Sequence, residues 1–68
     1  MQIKILRLGH STRNVDIAAG STIQEALDHE TLSAQGYALS INGLGCSTST
    51  ALAEGDVVTL VPKVEGGV

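Results

Sequence analysis

Sixty-eight residues, 43% hydrophobic and 16% charged, supply one small domain with one core; that is too little chain to enclose an active site as well, so an enzyme is disfavoured. A net charge of −3 with four cations (Lys4, Arg7, Arg13 and Lys63) and a single aromatic, Tyr37, gives neither a basic stripe nor a stacking platform, which argues against nucleic acid. Mean hydropathy of +0.22 argues against disorder, no apolar run approaches the roughly 18 residues of a membrane span, and a lone Cys46 fits a reducing cytoplasm.

The first element is a strand over Gln2–Leu8, with Ile3 and Ile5 on one face and Leu6 and Leu8 on the other. A turn through Gly9–Arg13 leads to a second strand over Asn14–Ala18, where polar and apolar residues alternate, and the two strands form a hairpin. Ser21 with Gln24, or Thr22 with Glu25, has capping-box spacing and starts a helix. Ile23, Ala26 and Leu27 make its apolar stripe, and the helix is expected to end before Gly36. Tyr37–Ile41 alternates again, Asn42-Gly43 is a hairpin signal, and Leu44–Ser47 is expected to pair back. Ser47–Thr50 reads as a surface loop, with Leu52 plugging the core beneath it. After the tight turn Glu54-Gly55-Asp56, the continuous apolar run Val57–Val61 has the pattern of a central strand. Its expected neighbour is the first strand, parallel to it through a right-handed crossover. The fold class is α+β: a mixed sheet of four to five strands with one helix packed across one face.

With these elements in place, several pieces become specific in combination: Ala38-Leu39-Ser40-Ile41-Asn42-Gly43, then Leu52-Ala53-Glu54-Gly55-Asp56-Val57-Val58, and the terminal Gly66-Gly67. Together with Met1-Gln2-Ile3 and the block Ala19–Leu27, they resemble the ThiS/MoaD-type sulfur carriers of the ubiquitin-like β-grasp superfamily over nearly the whole chain. The resemblance implies a β-grasp domain over residues 1–62 and a diglycine tail over 63–68. It also implies a carrier that is a substrate rather than an enzyme. A ThiF/MoeB-like adenylyltransferase would use ATP and Mg²⁺ to adenylate the carboxylate of Gly67, which then becomes a thiocarboxylate for a sulfur-accepting synthase or an amide on the lysine of an acceptor protein. This chain itself would bind no cofactor.

The tail supports that chemistry on physical grounds. Pro62 cannot donate to a continuing ladder, so the chain is expected to leave the sheet there, and the residues beyond could reach roughly 15–20 Å from the body. Gly66 and Gly67, without Cβ atoms, suit a narrow slot in a partner, with Glu65 and Val64 recognised beside them. Val68 departs from the family pattern, in which the second glycine is terminal. A protease, of the JAMM type in some relatives, removes it; or the glycines are a flexible tail; or the chain is a β-grasp interaction module that is never conjugated.

Other residues read more plainly. His10 and His29 are ordinary surface histidines, Cys46 is a small apolar filler or a partly exposed thiol, and Asp28 and Glu30 lie on the solvated side of the helix. Glu54 and Asp56 serve their turn, and the Ser/Thr run lacks any helper for nucleophilic catalysis. The sheet face opposite the helix, assigned Leu6, Leu8, Val58 and Leu60, is expected to stay open as a docking surface.

Overall fold

The computed structural model describes residues 1–10 and 12–63. The elements run β1 (Gln2–Arg7), β2 (Thr12–Asp16), α1 (Ile23–His29), β3 (Tyr37–Ile41), β4 (Leu44–Gly45) and β5 (Val57–Pro62). They form one five-stranded sheet in the order β2-β1-β5-β3-β4. β5 is central as expected, parallel to β1 and antiparallel to β3, and α1 carries the chain from β2, beyond β1, to β3 on the other side of β5. This is the ubiquitin-like β-grasp.

Alternation along the strands sends Ile3, Ile5, Val15, Val58 and Leu60 to the face covered by α1. There they meet Ile23, Ala26 and Leu27 from the helix and Leu52 from the connection between β4 and β5, all buried. Val58 and Leu60 are fully inaccessible, and in register they face Ile5 and Leu39 respectively. Their assignment to the open face is therefore overturned. A run of apolar residues carries no parity of its own, and the parallel register with β1 decides it. Thr59, half-buried and opposite Leu6, is the polar residue in the run and marks the outward set Val57, Thr59 and Val61.

Three boundaries also move. β2 begins and ends two residues before the expected strand, because the Leu6↔Thr12 pairing closes a short loop. β4 is two residues long, after which the Cys46 amide still donates to Leu39 O at 3.1 Å. The helix stops at His29, with Glu30 as C-cap. The Leu32 amide donates to Leu27 O at 2.8 Å and that of Thr31 to Asp28 O at 3.1 Å. That is a Schellman ending, with Thr31 at φ 56° where glycine is usual.

At the start of the helix, Thr22 is the cap. Its amide donates to Glu25 Oε1 at 2.9 Å, and the Glu25 amide donates to Thr22 Oγ1 at 3.3 Å. Ser21 is buried and its hydroxyl donates to Ala18 O at 2.7 Å. The loop Ser47–Thr50 does more than cover surface: the carbonyls of Thr50 and Thr48 accept from the amides of Ile23 and Gln24, at 3.0 and 2.9 Å. They satisfy donors that the first turn of any helix leaves free.

Candidate functional site

The geometry that bears on function is the far end of β5 and the sheet face beside it. β5 pairs on both sides, reaching Tyr37↔Pro62 on β3. The ladder thus includes Pro62 as its last residue, and the Lys63 amide donates to Gly36 O at 3.0 Å. The body of the domain holds the chain through Lys63, one residue past the expected point of departure. Val64, Glu65, Gly66, Gly67 and Val68 lie outside the described residues.

The other end of β5 is fastened by the Glu54-Gly55-Asp56 turn. Gly55 has φ 84°, its amide donates to Gln2 O at 2.8 Å, and the Gln2 amide donates to Glu54 Oε2 at 2.8 Å. Asp56 Oδ2 accepts from the Ala53 amide at 2.8 Å, while Asp56 O accepts from the Lys4 amide at 2.9 Å. The Glu54 carboxylate therefore ties the turn to β1, while the Asp56 carboxylate closes the turn on Ala53, as their reading as turn residues requires. Asn42, at φ 50°, adds a second tie: its Oδ1 accepts from the Val57 amide at 3.0 Å. Sequence reasoning took Asn42-Gly43 as a turn signal alone, and the side-chain bond to a strand distant in sequence could not be read from it.

On the sheet face away from α1, Leu6 is half-buried, while Leu8 and Val61 are 51% and 37% exposed. Leu6 and Leu8 are where the open-face assignment put them; Val61 takes the place given to Leu60. Lys4 and Ala38, both exposed, share the outward parity through their pairings with Val57 and Val61.

The remaining candidates are not gathered into a site. Among the described residues, no group of His, Cys, Asp and Glu is placed to hold a metal ion. His29 Nδ1 lies 3.0 Å from Glu30 Oε2, and Arg13 Nη1 donates to Glu30 O at 3.2 Å and lies 3.4 Å from Oε1, so this trio ties β2 to the end of α1. Cys46 is half-buried against the core, and burial pushes its thiol pKa up, the opposite of what a nucleophile needs. Among the described residues no helix is long and apolar enough to cross a membrane.

Comparison with known proteins agrees with this architecture. SAMP1 from Haloferax volcanii is 22% identical and superposes with a TM-score of 0.81 over 98% of this chain and 100% of that one. A Caldiarchaeum subterraneum ubiquitin, also 22% identical, gives 0.67 over 98% of each chain. No curated protein matches. The model of the ThiS family matches residues 5–67, from within β1 to the second glycine of the tail. The chain belongs to the ThiS family.

Proposed function

We propose that this protein is a sulfur carrier or protein modifier whose reactive group is the carboxylate of Gly67, exposed by cleavage of the Gly67–Val68 bond. The observation that carries this reading is the extent of the family match, which takes in Gly66 and Gly67 and ends there. The fold supports it, since the strand leading to the tail is the central one, held by β1 as far as Leu60 and by β3 as far as Pro62. A partner adenylyltransferase joins the freed carboxylate to the AMP moiety of ATP with Mg²⁺, releasing pyrophosphate. Attack by a sulfur donor then yields a thiocarboxylate and AMP; attack by a lysine amine yields an amide instead. Leu6, Leu8 and Val61, with Lys4 beside them, offer the partner an apolar patch next to the departing strand.

The test is mass analysis of the protein recovered from cells that contain the adenylyltransferase, and of Gly67-ended protein incubated with that enzyme, ATP and a sulfur donor. A Gly67-ended chain with one oxygen replaced by sulfur, or joined to a lysine, is expected. Only uncleaved protein in cells and no adenylate in vitro would instead identify a β-grasp interaction module that binds without covalent attachment.

A further inference from the structure

The chain has two asparagines in very different settings. Asn14 lies within β2 and is followed by the buried, β-branched Val15. Asn42 stands in an exposed turn and is followed by Gly43, whose φ is 88° and whose missing side chain would meet nothing within 4 Å. A peptide nitrogen attacks the preceding asparagine most readily when no side chain shields it, which is the situation of Gly43.

We propose that Asn42 is a site of spontaneous deamidation whose product carboxylate faces Asp56 and loosens the joint between the β3–β4 turn and the start of β5. In the first step the deprotonated Gly43 nitrogen bonds to Asn42 Cγ, and ammonia leaves as the ring closes to a succinimide. One water then opens the ring at either carbonyl, giving an aspartyl or an isoaspartyl residue; the net change is one water consumed and one ammonia released.

The consequence follows from what the amide does before the reaction. Asn42 Nδ2 donates to Asp56 Oδ1 at 3.2 Å, Asn42 Oδ1 accepts from the Val57 amide at 3.0 Å, and the Asn42 amide donates to Val57 O at 2.9 Å. Asp56 is the titratable group facing this side chain and makes no ion pair among the described residues; Lys4, the β1 residue paired with Val57, is likewise unpaired among them. An aspartyl product keeps the bond from Val57 but puts an anionic oxygen where the donor was, so two carboxylates meet at hydrogen-bond distance. Asp56 cannot swing away freely, because its Oδ2 accepts from Ala53. The isoaspartyl product adds a methylene to the backbone of a two-residue turn and disturbs the Ile41↔Leu44 pairing.

Two measurements test this. Purified protein held in mildly alkaline buffer and mapped by peptide mass should show amide-to-acid conversion at Asn42 many-fold faster than at Asn14, with isoaspartate among the products. Equal rates at the two positions, or none at Asn42, overturn the assignment of the site. Asn42→Asp reproduces the aspartyl product, and since aspartate also tolerates positive φ it changes the charge rather than the backbone. It should melt about 4–8 °C below the parent at neutral pH. The gap should close when both carboxyls are protonated or in Asn42→Asp combined with Asp56→Asn. An unaltered Tm at neutral pH, or a loss that neither acid nor the second substitution repairs, overturns the claimed consequence. Should Asn42→Asp fail to fold at neutral pH, its melting in acid and the double variant still decide the point.

Discussion

The side chain of Glu30 joins the end of α1 to β2, through His29 Nδ1 at 3.0 Å and Arg13 Nη1 at 3.4 Å. The hydrogen bond with His29, aided by Arg13 and opposed by desolvation, holds its carboxyl below the usual glutamate range. A group whose pKa is lowered by folding adds stability above its unfolded value of about 4.3, and that stability fades as the pH falls through the folded value. Glu30→Gln should therefore melt with the parent in strong acid and fall slightly behind as the pH rises past the glutamate range. The effect is small because the pair is solvent-screened; a difference independent of pH would trace it to packing instead. Cys46 shifts the other way. With its thiol pKa raised by burial, it should react with iodoacetamide more slowly than free cysteine at neutral pH, and the rate should recover on unfolding.

At the scale of elements, the short helix depends on its ends. Thr22→Ala removes the capping box and should cost about 1 kcal/mol in a denaturant titration. Thr31 sits at φ 56° to complete the Schellman ending, a left-handed conformation that costs a non-glycine residue roughly 1–2 kcal/mol. Thr31→Gly should recover part of that and raise Tm; a lower Tm would mean that contacts of the threonine outweigh its backbone strain. In the sheet, Leu60 is fully buried and Leu8 is half-exposed. Leu60→Ala should cost about 2–5 kcal/mol, a large share of the stability of so small a domain. Leu60→Glu should not fold at all, whereas Leu8→Glu should keep the parent's Tm and lose partner capture. Circular dichroism melts of the pair, alongside pull-down by the adenylyltransferase, separate core from surface.

For the whole molecule, the core and its ladders are built, among the described residues, from Met1 to Lys63. Deleting Gly66 and Gly67, or introducing Gly67→Asp, should therefore leave the melting curve of the body unchanged while abolishing adenylation, read as ATP–pyrophosphate exchange. Retained exchange would move the reactive group away from Gly67. Much of this architecture was legible in the chain. β-Branched and aliphatic residues marked β1, alternation marked β3, the Thr22/Glu25 spacing marked the start of the helix, and Asn42-Gly43 and Glu54-Gly55-Asp56 marked two turns. The end of the helix was not legible, because Thr31 adopts a glycine-like conformation without being glycine.

Local signals of this kind act over two to four residues, and they determined which segments become strands, helix and turns; the apolar run Val57–Val61 marked the last strand as central, and the combined motifs, through their resemblance to the ThiS/MoaD carriers, implied the β-grasp. The diglycine, too, is a property of sequence alone. What only the tertiary structure decided is which way the strands face. Val57–Val61 is apolar enough to bury either parity, and pairing with β1 places Val58 and Leu60 under the helix and Val61 outside. A one-residue shift of register would exchange those faces. The choice is made by contacts between residues about fifty positions apart, through Asp56 with Lys4 and Glu54 with Gln2, and no local pattern encodes them.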